Sequence, residues 1–430
     1  MSRAVLLGSL SLFLILAGLA GLRGALLALA MPPLVYFFYG LWRGPDRLKL
    51  EVRREMSFDR VAPQTPVRVS VTVTNRGSQL DELALEDRIS PELAVTDGSN
   101  HHLLSLGSGR SFVFDYSVSG PRGGFPFEAV RAGAGDDLGL MRLTQDFRTS
   151  GTLFILPEIS RIRNVPIRPR RTRVYAGAIP ARVGGAGVEF FGVRNYEPGD
   201  SPRRINWRAS ARHVEALYSN EFQQERVADV GIVLDGRERS NLFTGGRTLF
   251  EYSVLAAGAL ADAFLTQGNR VGLLIYSQYL QWTVPGYGKL QRERILQALS
   301  GAAPGASQIF DGLQYMPTRV FPGESQIVLI SPLVEDDYVT LVQLRARGYQ
   351  VLIVVPDPVS FEEDYLSQTP ARYARSDVEL SARVVRMERN LMLGRIQRAG
   401  VQVIEWNVAQ SFDQAVRRAS GWHRQAANRL

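Results

Sequence analysis

Two uncharged stretches of 19 residues, 4–22 and 24–42, stand back to back at the start of the chain with Arg23 alone between them. As α-helices each would be about 28 Å long, close to the ~30 Å hydrocarbon core of a bilayer. Ser2-Arg3 ahead of an apolar run also has the form of a secretory signal peptide, but a secreted chain has no use for another span directly behind it. Gly18, Gly21 and Gly24 permit a tight reversal around Arg23, and Pro32-Pro33 predicts a kink of the kind membrane helices tolerate. Tyr36, Phe37, Phe38, Tyr39 and Trp42 form an aromatic belt, followed by Arg43, Arg47, Lys49, Arg53 and Arg54. By the positive-inside rule that cluster faces the cytoplasm, so residues 1–42 are expected to form a transmembrane helical hairpin with both chain ends cytoplasmic.

The remaining length is enough for two or three folded units in a chain of 430 residues. With 45% apolar and 21% charged residues, full disorder and a polytopic transporter are both excluded. Cysteine is absent, which removes disulfides, thiolate metal sites, iron–sulfur clusters and a cysteine nucleophile. The net charge is +8, yet Lys49 and Lys289 are the only lysines, a pattern that codon bias explains before phosphate binding does. In residues 43–160, Val67, Val69, Val71 and Val73 alternate with polar residues before Asn75-Arg76-Gly77, and Phe112, Phe114, Tyr116 and Val118 repeat the pattern. Period-two strands broken by turn residues predict a small antiparallel β-sandwich. His101-His102 would point to opposite faces of a strand and so make a poor metal site.

Residues 161–225 are arginine-rich. Arg161, Arg163, Arg168, Arg170, Arg171 and Arg173 are interrupted by Pro166 and Pro169, which predicts an extended connector. It reads either as a solvated linker or as a contact to anionic lipid or nucleic acid; no aromatic residues interleave to stack on bases. Pro198-Gly199-Asp200 then makes a turn whose carboxylate is placed to cap the next helical turn. Arg204, Arg208 and Arg212 are spaced to share one helix face, suited to ion pairing internally or with a partner. Trp207 is a large flat anchor of the kind that dominates interfaces.

This stretch resembles the bacterial family carrying "domain of unknown function 58". The residues that carry the resemblance are Glu189-Phe190, Arg194-Asn195-Tyr196, Gly199-Asp200, Arg204-Ile205-Asn206-Trp207 and Ser210-Ala211-Arg212. Arg122-Gly123 and Asp137-Leu138-Gly139-Leu140 are similar to a weaker pattern in the family's β-domain. The layout also looks like the family: membrane hairpin, β-domain, signature, then a von Willebrand factor A-like domain. The resemblance implies a bacterial inner-membrane protein with its soluble domains in the cytoplasm. It also implies partnership with a MoxR-type AAA+ ATPase in envelope protein assembly or chaperoning.

In residues 226–430, Val230-Gly231-Ile232-Val233-Leu234 is an apolar run ending at Asp235, as a buried parallel strand would be. Further strands are expected at 270–276, 326–330, 350–355 and 401–404, with helices at 249–265 and 380–398. Alternating strand and helix predict a doubly wound parallel sheet whose site lies at the strands' carboxyl ends, where Asp235 stands. The family resemblance makes this domain von Willebrand A-like and implies a divalent cation on an Asp-x-Ser-x-Ser motif, with a threonine and an aspartate from later loops. The chain departs from that motif: Arg237 and Arg239 occupy both serine positions, and Ser331-Pro332 follows the strand where the later aspartate is expected. Ser307 lies near the expected threonine. Guanidinium groups beside Asp235 would repel a dication, so no metal and no other cofactor are expected; Glu238 or Ser240 rescuing a distorted site is the alternative.

No Walker loop is present, since Gly288-Lys289 is followed by Leu290 and preceded by Thr283 where glycine is required. His-Glu-x-x-His and Gly-x-Ser-x-Gly are also missing. The expected function is therefore a membrane-anchored, non-enzymatic interaction protein with no nucleic-acid partner, whose signature either docks a partner or locks the fold. The alternative is a hydrolase using Asp235, Ser210 or His213, which requires Asp235 to lie in an open cleft, not in an ion pair.

Overall fold

The computed structural model describes residues 3–43, 48–135, 142–162, 165, 167, 172–212, 216–307, 312–368 and 375–427. Arg47, Asp137, Leu138, Gly139, Leu140, Arg163, Pro166, Arg168, Pro169, Arg170, Arg171 and His213 lie outside the described residues. The chain divides into two units, Met1–Leu156 and Pro157–Leu430.

The first unit begins with α1 (Arg3–Ala20) and α2 (Gly24–Arg43), which runs through Pro32 and Pro33. The reversal between them places Leu22 at φ 51°, and Gly18 leaves the space that Leu27 of α2 fills. Their outer faces are apolar and bare, with Phe13, Leu16, Leu29, Val35 and Phe38 all exposed. The apolar helical stretches Val5–Ala20 and Gly24–Tyr39 are each shorter than a standard span. Among the described residues, the one helix long and apolar enough to cross a membrane is Leu249–Thr266, and 72% of it is buried in the protein's own core.

The strands that follow are β1 (Leu50–Met56), β2 (Arg60–Val61), β3 (Val67–Asn75), β4 (Leu80–Asp87), β5 (Ala94–Gly98), β6 (His101–Leu106), β7 (Ser111–Ser119), β8 (Gly123–Pro126), β9 (Ala129–Gly135), β10 (Arg142–Arg148) and β11 (Thr152–Ile155). They form a β1-β3-β7-β5 sheet, a β10-β9-β4-β6 sheet and a small β2-β11-β8 sheet. The alternation read in the sequence is the core itself: Val67, Val69, Val71 and Val73 are fully buried and share one cluster with Leu83, Leu85 and Val130 of the second sheet. Arg54, counted in the sequence among the membrane-flanking cations, is instead buried in this core. Its Nε donates to Asp87 at 2.9 Å, and the Tyr116 hydroxyl donates to the same carboxylate at 2.6 Å.

The second unit comprises β12 (Thr172–Asn195), α3 (Trp207–Ser210), β13 (Tyr218–Asp235), β14 (Phe243–Thr244), β15 (Arg247–Thr248), α4 (Leu249–Thr266), β16 (Arg270–Tyr276), β17 (Leu280–Gly286), α5 (Gly288–Ser300), β18 (Gln326–Ile330), α6 (Asp337–Ala346), β19 (Gln350–Pro356), α7 (Pro358–Gln368), α8 (Arg375–Arg398), β20 (Gln402–Trp406) and α9 (Phe412–Ala427). Its main sheet runs β17-β16-β13-β18-β19-β20. Neighbouring strands from β16 through β20 are parallel, and β17 closes one edge antiparallel. One core cluster joins Val233, Leu329 and Ile353 of the sheet to Leu341 and Leu344 of α6 and to Leu393 and Ile396 of α8. Helix α4 packs against β13, β16, β18 and β19 and also against α5.

The connector predicted from Arg161 to Arg173 falls mostly outside the described residues, but the rest of residues 161–225 is not irregular chain. The segment contains β12, which pairs antiparallel with β13 from Thr172↔Ala228 to Asn195↔Tyr218 through four register shifts. β13 is one continuous strand from Tyr218 to Asp235, so a boundary at 225/226 falls inside it. Prolines at 166 and 169 precede the ribbon, and Pro180 lies within it opposite Glu225. The ribbon uses the Tyr218–Ala228 half of β13, ahead of the Asp229–Asp235 half that pairs with β16 and β18, and such a pairing between distant segments is not carried by local composition.

Candidate functional site

β13 delivers Asp235 to the carboxyl end of the parallel sheet, beside the ends of β16 and β18. The Asp235 carboxylate is fully buried and fully engaged. One oxygen accepts from the Arg237 amide at 3.0 Å and from Arg237 Nε at 2.9 Å. The other accepts from Arg237 Nη2 at 2.8 Å, Ser240 Oγ at 3.0 Å and Ser331 Oγ at 2.5 Å. The same guanidinium reaches across the sheet to Asp337 at the start of α6, with Nη1 at 3.0 Å from Oδ1 and Nη2 at 2.7 Å from Oδ2. Side-chain exposure is 2% for Arg237, 0% for Asp235 and 2% for Asp337, so solvent screens none of the three. Burial works against the Arg237 charge, but its hydrogen bonds to the two carboxylates win and hold the guanidinium above its ordinary range. Burial likewise pushes up the nearby Tyr276 phenol, which donates to the Gly312 carbonyl at 2.6 Å.

Three expectations are corrected here. One guanidinium, not two, meets Asp235: Arg239 is turned outward, 3.6 Å from the exposed Asp336. Pro332 stands where the later aspartate was expected, but Ser331 just before it bonds Asp235, and the second carboxylate comes from Asp337, six residues beyond Ser331. Ser240 bonds Asp235 alongside Arg237, so it supports the ion pair in place of rescuing a cation site. The sequence carries one signal for Asp337, an Asp336-Asp337 pair opening a helix after a buried strand. A divalent cation does not fit this arrangement, because the space between the carboxylates is filled by a protonated side chain.

The signature divides into two halves. Its inward half satisfies itself. Arg194 Nη2 donates to Asp200 Oδ1 at 2.6 Å, and Asp200 Oδ2 accepts from the Glu197 amide at 3.1 Å. The Arg194 guanidinium therefore holds the Asp200 carboxyl below the usual carboxylate range, with the Glu197 amide assisting. Asp200 thus bonds backward to Arg194 and Glu197 in place of capping the turn ahead. Tyr196 OH donates to the Asp200 carbonyl at 3.3 Å, and Gly199 sits at φ +113°, a left-handed value that favours glycine. Asn206 caps α3 by accepting from the Ala209 amide at 2.9 Å, and its Nδ2 donates to Asn220 at 2.8 Å. Ser210 Oγ donates to the Asn206 carbonyl and accepts from the Tyr218 amide, each at 2.9 Å.

The outward half is bare. Trp207 is 68% exposed and Phe190 61%, and Arg203, Arg208 and Arg212 are exposed with them. The helix face expected to carry Arg204, Arg208 and Arg212 does not form. Residues Pro202–Arg204 make a 3-10 turn, Ile205 bridges to Ser219 as a strand residue, and α3 is a single turn. Arg204 leaves the arginine group and lies over the Phe222 ring at 5.5 Å. The Glu189 backbone belongs to β12; its side chain lies outside the described residues.

Neither Asp235 nor Ser210 stands free for catalysis: the first is ion-paired, the second is spent on two backbone groups. A separate cavity of about 260 Å³ at the ends of β19 and β20 holds Asp357, Arg389 and Glu405. Burial pushes the Glu405 carboxyl up, Asp357 adds to this and Arg389 opposes it. Asp357 itself accepts from the Val359 and Ser360 amides and serves as the cap of α7.

Comparison with known proteins bears on the signature. Residues 192–366 match the family model described as "Protein of unknown function DUF58". "Uncharacterized protein YeaD" of Bacillus subtilis (strain 168) is 32% identical over 165 residues, which span 38% of this chain and 39% of that protein. Several solved structures align with about a quarter of the chain, two of them as follows. The CARDB domain of the PF1109 protein from Pyrococcus furiosus has 15% identity, 25% coverage of this chain and 93% of its own, and a TM-score of 0.19. A FixG-related protein from Vibrio parahaemolyticus has 8% identity, 25% and 95% coverage, and a TM-score of 0.17. At such scores neither supports an argument. The motif from Arg194 to Arg212 falls inside the span that matches the DUF58 model, the family that motif resembles.

Proposed function

We propose that this chain is a membrane-tethered, non-enzymatic adaptor that docks a partner through the outward half of the signature. Its second unit is read as von Willebrand A-like, with the Arg237 guanidinium standing in the cation position. The partner is a MoxR-type AAA+ ATPase, and the work is assembly or chaperoning of envelope proteins at the cytoplasmic face of a bacterial inner membrane. The bare apolar faces of α1 and α2 support the tether, since monomeric soluble proteins rarely leave such surface uncovered. One observation carries the docking reading: the inward residues of the signature are all engaged, while Trp207, Arg208 and Arg212 are exposed and make no ion pair among the described residues. A large exposed aromatic with exposed arginines beside it in the sequence is the composition of an interface anchor.

Affinity isolation of the tagged full chain in mild detergent tests this. The ATPase should co-purify with the native chain and be lost with Trp207→Ala combined with Arg208→Glu, at an unchanged melting temperature. A native chain that brings down no ATPase, or a variant that still does, overturns the proposal.

A further inference from the structure

The Arg237 cluster joins three separate segments. Asp235 ends β13, Ser331 follows β18, and Asp337 opens α6, a hundred residues along the chain from the guanidinium it binds. Four side-chain oxygen bearers, Asp235, Asp337, Ser240 and Ser331, converge there; three bond Asp235 Oδ2 or share Arg237 Nη2 with it. Two carboxylates and two hydroxyls are a hard-oxygen set of the kind that holds Mg²⁺ or Mn²⁺ with waters completing the shell. Two carboxylates facing one guanidinium also leave one negative charge over, which the two hydroxyls and the Val334 amide, donating to Asp337 at 3.0 Å, absorb.

We propose that Arg237 is a built-in cation: it ties the three loops together permanently, and the four oxygen-bearing side chains around it form a divalent-cation site once the guanidinium is removed. An arginine suits the task where lysine does not. It is always charged, weakly hydrated, and forked, so it addresses both carboxylates with paired hydrogen bonds. The carboxyl end of the sheet is therefore assembled whatever the ion concentration. Chelators and added metal leave it unchanged. This stands apart from the docking proposal, because it concerns the loops' assembly and is read without any partner.

The test uses the full chain in mild detergent, with MnCl₂ alone as the probe and melting temperature and Mn²⁺ electron paramagnetic resonance as readouts. The native chain should melt identically in chelator and in millimolar Mn²⁺ and leave the free-ion signal intact. Arg237→Ser should melt lower in chelator, gain on the order of 5 °C with Mn²⁺ at about a hundredfold excess over its Kd, and bind a single ion. Adding Asp337→Asn should abolish that gain. Arg237→Lys, which keeps the charge but loses the fork, should fold, melt below the native chain and ignore Mn²⁺. A native chain that takes up Mn²⁺ overturns the proposal. So does an Arg237→Ser chain that is folded but indifferent to Mn²⁺, or one that stays unfolded in Mn²⁺ while Arg237→Lys folds.

Discussion

A buried ion pair is weak evidence for net stability, but breaking one is costly, because the surviving charge is stranded in a poorly solvating interior. Asp235 and Arg237 are in that position, both with side-chain exposure of 2% or less. Asp235→Asn should therefore lower unfolding free energy by about 3 kcal/mol, read as a lower urea midpoint at unchanged slope. A midpoint shift near zero would mean that Asp337 alone compensates the guanidinium. Asp200 makes a second residue-scale prediction, through pH. Its folded pKa lies below the unfolded value of ~3.9, so its pair with Arg194 contributes stability above that pH and loses it as pH falls through the lower folded value. The gap in urea midpoint between the native chain and Asp200→Asn should be largest near neutral pH and should shrink below about pH 4. At this scale the sequence was half legible. That Asp235 meets an arginine two residues on follows from adjacency. That the second carboxylate is Asp337 does not, because it depends on how β18 and α6 lie against β13.

Elements were legible where burial is symmetric and hidden where pairing is remote. β16 and β18 coincide with the apolar runs read from the sequence, since strands covered on both faces must be apolar throughout. β12 carries Gly, Ala and Pro in place of alternation, and only its pairing with β13 makes it a strand. The signature runs from the end of β12 into the link between these two strands, and Ser210 is the stitch that holds the link there. Its hydroxyl ties the end of α3 to the first residue of β13. Ser210→Ala removes both bonds and leaves the Tyr218 amide seeking an acceptor, at about 1–2 kcal/mol. Hydrogen exchange should quicken at Tyr218 and leave the buried amides of β16 at the native rate. If instead the whole sheet exchanges faster, the link is part of the main cooperative unit and not a local brace.

At the scale of the molecule, two core clusters among the described residues are drawn from separate stretches of sequence. The β-sandwich cluster runs from Leu48 to Ile155, and the cluster under α6 and α8 from Val233 to Val401. Neither includes a residue of α1 or α2, whose apolar side chains face outward instead. Neither of these two clusters therefore draws on α1 or α2, and the proposed tether rests on the exposed apolar faces of those helices. Removing residues 1–43 should move the protein from the membrane pellet to the supernatant of a carbonate-washed lysate, while the two remaining units melt within about 2 °C of their temperature in the full chain. The two readings fail differently. A truncated chain still in the pellet, yet normally folded, places membrane attachment elsewhere and ends the tether proposal. A truncated chain that melts early leaves the tether intact and shows that α1 and α2 cover core surface, so their bare faces belong against protein and not lipid.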